Sequence, residues 1–295
     1  MSGLISPATG KRYGIKRACD ALGFPRSSFY LARQPKADKT PEKRGPKTQW
    51  SDGDLLGFIR RDLDRSLFQG EGHRKVWARL RVMDGLRVSR KRILRIMREH
   101  CLLSPHRGRQ APPLAHEGTL ATDAPNVMWG TDGSRVLTRD DGWVWVFAAL
   151  EHFNSECVGH YVSKMGTRFQ ALEPVAMGIT DIFGGVEAGA ARGLALRMDH
   201  GSQYLADHFQ NQIRFWGIAP SFAFVSQPQT NGIAERFFRT LKEQAIHGRM
   251  FRNVEEVREA VDQFIQNYNS SWRLERLNYM SPVEYREYYL TKLAA

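Results

Sequence analysis

Trp143-Val144-Trp145-Val146-Phe147-Ala148-Ala149-Leu150 is an unbroken apolar run. It is too short to cross a bilayer and suits a β-strand covered on both faces. The segments around it sort by period. Val127 to Leu137 reads as a strand closed by the turn Asp140-Asp141-Gly142, and Val158 to Ser163 reads as a third strand. Phe169 to Phe183 reads as a helix, Leu194 to Met198 as a strand, Gly201 to Trp216 as a helix and Ser221 to Val225 as a last strand. A further helix follows from Glu235, with Ala234, Phe237, Phe238, Leu241 and Ala245 at helical intervals. Three strands, helix, strand, helix, strand, helix is an α/β order. Periodicity supports the elements but leaves their topology open.

Three acids take their weight from this framework. Asp132 lies on the first strand, in Trp129-Gly130-Thr131-Asp132. Asp199 ends the fourth strand and leads into His200-Gly201-Ser202-Gln203-Tyr204. Glu235 stands in the first turn of the last helix, after Pro228-Gln229-Thr230-Asn231-Gly232 and with 35 residues between it and Asp199. Spacing alone says little in a chain with 31 acidic residues. Each acid has an ordinary alternative: a solvated strand residue, a helix cap, a first-turn acid favoured by the helix dipole. Together, carboxylates from separate segments suit a hard divalent cation, which takes oxygen ligands and needs no Cys or His cage. Arg239 and Lys242, four and seven residues after Glu235, share its helix face and add cations beside it. His200 reads as a packing or hydrogen-bonding residue and stays outside the catalytic set.

These motifs resemble the DDE transposases of the retroviral-integrase superfamily, specifically the catalytic protein of the bacterial insertion-sequence-three family. The resemblance rests on Trp129 to Asp132, Asp199 to Tyr204 and Pro228 to Phe238, with Lys242 seven residues past Glu235. It extends to Gly72–Pro105 and to Tyr268-Asn269 and Ser281-Pro282. It implies a ribonuclease-H-like catalytic core with N-terminal all-α helix-turn-helix regions. It implies Asp132, Asp199 and Glu235 as catalytic ligands of two Mg²⁺ (or Mn²⁺) ions, with Asp132 bridging them. Asn231, Arg239 and Lys242 are then expected to contact DNA. The substrates it implies are double-stranded DNA bearing the element's terminal inverted repeats, and target DNA. It also implies a homo-oligomer on DNA and an upstream-frame partner or fusion. Where many family members carry a His after the Tyr-Asn pair, this chain has Trp272-Arg273-Leu274-Glu275-Arg276.

The upstream region carries the charge. Residues 1–120 hold 26 Lys and Arg against 11 Asp and Glu, a balance of +15, whereas the whole chain is +12. Positive charge concentrated on small helical units favours the phosphate backbone. Residues 1–34 read as a small helix-turn-helix, with Ile15, Ala18, Cys19 and Leu22 on one face and a second helix bearing Phe29 and Leu31. Residues 35–48 read as a basic linker. Residues 49–105 read as a three-helix DNA-binding domain: Ser51 caps the first helix, Val76, Trp77, Leu80 and Met83 mark the second, and the third starts near Ser89. On the third, Ile93, Leu94 and Met97 face inward and Arg90, Lys91, Arg92, Arg95 and Arg98 are expected on DNA. Residues 106–125 read as a linker, 126–250 as the catalytic core and 251–295 as a helical tail.

Cys19, Cys101 and Cys157 form no paired metal-ligand spacing, so zinc is not expected, unlike the His-His-Cys-Cys site of retroviral integrases. No segment reads as a signal peptide or membrane span, so a nucleoid-associated protein of the bacterial cytoplasm is expected. The expected activity is cleavage at insertion-element ends and transfer of the 3′-OH strand into target DNA. The alternatives are a ribonuclease-H-like nuclease without strand transfer and a DNA-binding regulator whose catalytic core has decayed.

Overall fold

The computed structural model describes residues 3–33, 49–104, 122–222 and 232–294. The expected linker over 35–48 and all but the last four residues of that over 106–125 lie outside them, as does Asn231. The chain divides into two units, Met1–Gln49 and Trp50–Ala295. In the first unit, α1 (Ile15–Ala21) and α2 (Arg26–Arg33) form the expected helix pair. Its apolar face is thinner than the periodicity suggests: Cys19 is buried, but Leu22 and Leu31 are exposed.

The second unit begins with three helices, α3 (Asp52–Arg65), α4 (His73–Val82) and α5 (Arg90–Glu99). Ser51 accepts from the Asp54 amide while Asp54 accepts from that of Ser51, a capping box that fixes where α3 starts. Ser89 caps α5 through the Arg92 amide, and the Trp77 indole donates to Val88 O at 2.8 Å, tying α4 to the turn before α5. Leu55, Ile59, Val76, Leu80, Ile93, Ile96 and Met97 form the core of this bundle. Beside it, the buried Arg79 guanidinium grips Asp62 with two bonds of 2.9 and 2.7 Å and also donates to Glu71. Burial nevertheless holds the Asp62 carboxyl above its ordinary range, outweighing the guanidinium's opposite pull.

Next come β1 (Met128–Thr138), β2 (Gly142–Glu151), β3 (Cys157–Ser163), α6 (Arg168–Phe183), β4 (Ala195–Met198), α7 (Ser202–Leu205), α8 (Asp207–Phe215) and β5 (Ala219–Phe222). After them stand α9 (Gly232–Leu241), a π-helical segment (Lys242–Ile246), α10 (Val254–Ser271) and α11 (Pro282–Ala294). The helix expected over 201–216 is thus two helices, with extended backbone at Ala206 between them. The last strand starts two residues earlier than expected, at Ala219.

Among the described residues the sheet runs β3-β2-β1-β4-β5. β1 pairs antiparallel with β2 through the Asp140-Asp141-Gly142 turn and parallel with β4, and β4 pairs parallel with β5. This is the ribonuclease-H-like arrangement. Both faces of β2 are covered from Val146 to Leu150, whereas the start of the apolar run departs from the expectation, Trp143 being exposed and Trp145 half-buried. Val144, Val146, Ala148 and Leu150 meet α9 and α10 on one side, whereas Phe147 and Ala149 meet α6 on the other. α10 contributes Val254, Val257, Val261, Phe264, Ile265 and Tyr268 to that first layer, so the boundary drawn after residue 250 falls inside the catalytic core. No helix among the described residues is long and apolar enough to cross a membrane.

The three-helix bundle is seated on this core within the same unit. The Gln69 amide donates to Gln244 Oε1 at 2.9 Å and Gln244 Nε2 donates back to Gln69 O at 3.0 Å. Phe68 meets Trp272 edge-on at 4.7 Å, and Arg74 pairs with Glu275 at 2.6 Å.

β3 and α6 approach so closely that a Cβ on Gly159 would stand 1.9 Å from the Pro174 carbonyl oxygen. We expect Gly159→Ala to force these elements apart and cost about 1–3 kcal/mol, as overpacking does. Gly185→Ala, whose Cβ would meet only the end of the Glu187 side chain at 3.8 Å, should leave thermal stability within about 1 °C. Calorimetric melting of both variants checks the contrast.

Candidate active site

The β1–β4 pairing places the first two acids. Met128 lies opposite Ala195, Trp129 opposite Leu196 and Gly130 opposite Arg197. Carried on by two residues, the same offset sets Asp132 level with Asp199, one strand spacing of about 4.8 Å away. Each carboxylate is anchored by the backbone that follows it. The Gly133 amide donates to Asp132 Oδ1 at 2.7 Å, and the Gly201 amide donates to Asp199 Oδ1 at 2.9 Å. The second anchor needs glycine, because a Cβ at 201 would stand 2.9 Å from that same Oδ1 and 2.8 Å from the Gln203 amide. One oxygen of each aspartate is thereby committed and the other is left for a ligand.

Glu235 occupies the first turn of α9, as its sequence context indicates. Ala234, Phe237, Phe238 and Leu241 bury that helix against β1 and β2, and Glu235 and Arg239 lie exposed beside the buried stripe. Lys242 is half-buried and opens the π-helical segment, so the helical spacing that groups it with Arg239 ends there. π-turns inside helices recur at functional sites.

Asp132 feels the other two acids. Burial pushes the Asp132 carboxyl up to about 6, and the charges of Asp199 and Glu235 push it further in the same direction. The Gly133 amide and the Lys242 ammonium pull it back down. A half-buried acid raised first by burial and then by two like charges marks a candidate functional site. Under this cluster Tyr204 is fully buried, its phenol held well above its ordinary range by burial and by the charges of Asp132 and Asp199. Sequence reasoning missed Tyr204; its place after Asp199-His200-Gly201-Ser202-Gln203 was the available signal.

The donor set fits a divalent ion in kind, being all carboxylate oxygen. Among the described residues, however, no three His, Cys, Asp or Glu side chains are gathered closely enough to hold one metal ion. The pair Asp132 and Asp199 is the part of the set already aligned by the sheet. Glu235 is coupled to it through charge.

The five cations expected on DNA from α5 divide by environment. Arg92 is half-buried and works within the bundle, its guanidinium bonding Asp52 at 2.7–2.8 Å and Trp50 O at 2.8 Å. Arg95 pairs with Asp52 at 2.5 Å and Glu99 at 3.0 Å, and Arg90 pairs with Glu275 at 3.3 Å. Lys91 and Arg98 are exposed and make no ion pair among the described residues. The expectation that all five face outward toward phosphate is therefore corrected for Arg92, whose partners a search for basic residues along one helix could not reveal. His200 is exposed, 5.5 Å from the Phe222 ring, apart from the anchoring bonds of the aspartates.

A sheet in this order, with acids on its central strand, at the neighbouring strand's end and on the covering helix, is a ribonuclease-H-like arrangement. Comparison with known proteins agrees. The integrase core domain family matches residues 216–282, and the HTH-like domain family matches residues 69–110. The chain is 25% identical over 299 residues to the transposase for insertion sequence element IS629 of Shigella sonnei, covering 96% of this chain and 95% of that one. It is 28% identical over 219 residues to the transposase InsD for insertion element IS2A/D/F/H/I/K of Escherichia coli, covering 72% of each. It is 26% identical over 285 residues to the Escherichia coli insertion element IS2A uncharacterized 48.2 kDa protein, covering 95% of this chain but only 66% of that protein's length. Among solved structures, the HTLV-2 integrase catalytic core domain in complex with magnesium (trimeric form) aligns with a TM-score of 0.41 and 13% identity, over 55% of this chain and 97% of that one. The chain is thus similar to transposases of bacterial insertion elements over most of its length and carries matches to an integrase core domain and an HTH-like domain.

The Asp132 shift makes a stability prediction. Its folded pKa of about 6 lies above the unfolded value of about 3.9, so ionisation disfavours the folded state. The penalty is fully present above the folded value and is relieved as pH falls toward the unfolded one. Asp132→Asn keeps the acceptor for the Gly133 amide and removes the charge. It should raise the melting temperature of the metal-free protein at pH 7.5 by at least about 2 °C and change it little at pH 4. An unchanged or lower melting temperature at pH 7.5 would show that Asp132 carries no such penalty.

Proposed function

We propose that this chain cuts DNA at the ends of an insertion element and joins the freed 3′-OH strand to target DNA. The observation that carries this reading is the convergence of three separate elements on Asp132, whose half-buried carboxyl feels the charges of Asp199, Glu235 and Lys242. In it, Asp132 and Asp199 each present one oxygen whose partner is fixed by a backbone amide and one that remains for a divalent ion. Glu235 supplies the third carboxylate from α9. Two divalent ions, Mg²⁺ or Mn²⁺, would activate the attacking oxygen and stabilise the leaving one when bound. Lys242 and Arg239 offset the charge of the scissile strand and hold it in line, and Asn231, which lies outside the described residues, belongs to the same expected contact set. Asp132, the carboxylate on the central strand, would hold the ions together with Asp199 and Glu235.

On this reading the substrates are the element's terminal inverted repeats and target DNA, engaged by an oligomer in the bacterial cytoplasm on nucleoid DNA. An upstream-frame partner or fusion belongs to the same proposal. Purified full-length protein with Mg²⁺ and labelled element-end DNA should yield both cleaved and joined products. Cleavage alone would make the chain a nuclease of the same fold. Asp199→Asn and Glu235→Gln should each lower product formation by at least about 10³-fold while leaving DNA affinity within about twofold. Wild-type activity in both variants would falsify the assignment.

The HTH-like region supports a backbone-binding role for α5 through Lys91 and Arg98 at its exposed face. Lys91→Ala and Arg98→Ala should each reduce the slope of log affinity against log salt by about 1 without lowering the melting temperature. Arg92→Ala should instead destabilise the bundle, measurably in thermal melts, since it removes the half-buried guanidinium that bonds both Asp52 and the Trp50 carbonyl and leaves Asp52 to Arg95.

A further inference from the structure

The β1–β2 hairpin extends past the end of β4, and its two faces there differ. Val136, Thr138, Val144 and Val146 are buried, whereas Arg135, Leu137 and Trp143 are exposed and Trp145 is half-buried. An uncovered sheet face is ordinarily polar. This one carries Leu137 at 59% exposure and Trp143 at 55%, with Tyr161 of β3 and Phe169 at the start of α6 also exposed.

The patch is organised rather than merely apolar. The Arg135 guanidinium lies over both tryptophans, 5.4 Å from the Trp143 ring and 5.5 Å from that of Trp145. Trp145 is stacked on Phe147 at 5.5 Å and 4°. Its other boundary is Gly166, where a Cβ would stand 2.2 Å from the indole. Arg168 lies over Phe169 at 4.7 Å. Neither Arg135 nor Arg168 makes an ion pair among the described residues. Their charges are balanced by ring faces alone, whereas nearby Arg139, Lys164 and Arg252 each pair with Asp140 or Asp141.

That charge pattern selects the occupant. A second copy docking by twofold symmetry would set this patch against itself, bringing unpaired guanidinium to unpaired guanidinium. A polyanion meets no such penalty. Exposed indole and phenyl faces interleaved with cations suit a nucleic-acid strand whose bases are unpaired, because every base offers a π-face while the cations take the phosphates. A duplex hides those faces in its own stack. We propose that Arg135, Trp143, Trp145, Tyr161 and Phe169, with Arg168, form a stacking platform for unpaired bases of a DNA strand. Arg135 follows Asp132 by three residues on β1, about 10 Å along the strand and on the opposite face. The platform therefore lies within a few nucleotides of the catalytic carboxylates and suits the strand end separated there. This inference rests on DNA being the substrate of the acidic site.

The test uses the full chain in EDTA, so that chemistry does not intervene. Binding is read by fluorescence anisotropy with two probes, a blunt duplex and the same duplex carrying a six-nucleotide single-stranded overhang. Trp143→Ala and Arg135→Gln should each weaken overhang binding by about fivefold or more and change blunt-duplex binding less than twofold. Overhang DNA should quench wild-type tryptophan emission more than blunt DNA does, and Trp143→Ala should remove that excess. Equal losses on both probes, or no loss on either, overturn the platform. So does a shift to a smaller species on sedimentation of Trp143→Ala with unchanged DNA affinity, which assigns the face to a second copy. A wild-type protein that binds the overhang through Trp143 but neither cuts nor joins with Mg²⁺ refutes the proposed function and leaves the platform standing.

Discussion

Three residue pairs between β1 and β4 hold the site together. Met128–Ala195, Trp129–Leu196 and Gly130–Arg197 join segments far apart in sequence, and they determine that Asp132 and Asp199 stand level. A slip of one residue would turn one of the two toward the opposite face of the sheet. The short ladder is protected from slipping by what flanks it. Trp129 and Leu196 are fully buried in the layer under α6 and α8, and the Ala195 amide bonds Val127 O at 2.9 Å, extending the register backwards. The repulsion between the acids opposes this packing. Burial of Trp129, Leu196, Met198 and Tyr204 is the counterweight, and the Asp132 carboxyl is raised first by its own burial and then by the neighbouring charges.

Much of this was visible in the chain itself, for reasons that differ by element. The run from Trp143 to Leu150 announced a doubly covered strand, which it is from Val146 onward, because apolar residues on both parities leave no wet face. Ser51 and Ser89 announced helix starts because a short polar side chain there accepts orphan amides. The Asp140-Asp141-Gly142 turn followed from Gly142, which adopts φ 69°. Asp132, Asp199 and Glu235 were legible as a group only through the motifs around them, since their approach depends on a parallel pairing that periodicity does not encode.

What escaped reading was tertiary. Nothing local distinguishes Arg92 from Lys91, yet Asp52, forty residues earlier, draws Arg92 into the bundle and leaves Lys91 in solvent. The amphipathic stripe of α10 was plain, but not that it completes the same layer as α9. The seating of the bundle on the core also required the fold, because it joins Phe68 to Trp272 and Arg74 to Glu275 across long sequence gaps. Leu22 and Leu31 show the opposite error, apolar residues at helical spacing that remain exposed.

The reciprocal bonds between Gln69 and Gln244 bear on how the bundle is held. Gln244 belongs to the π-helical segment that continues the helix carrying Glu235, and Gln69 leads into the first turn of α4. Two exposed hydrogen bonds of about 0.5–1.5 kcal/mol each make a clasp that is easily opened. The clasp thus ties the turn before α4 to the segment that continues the helix of Glu235.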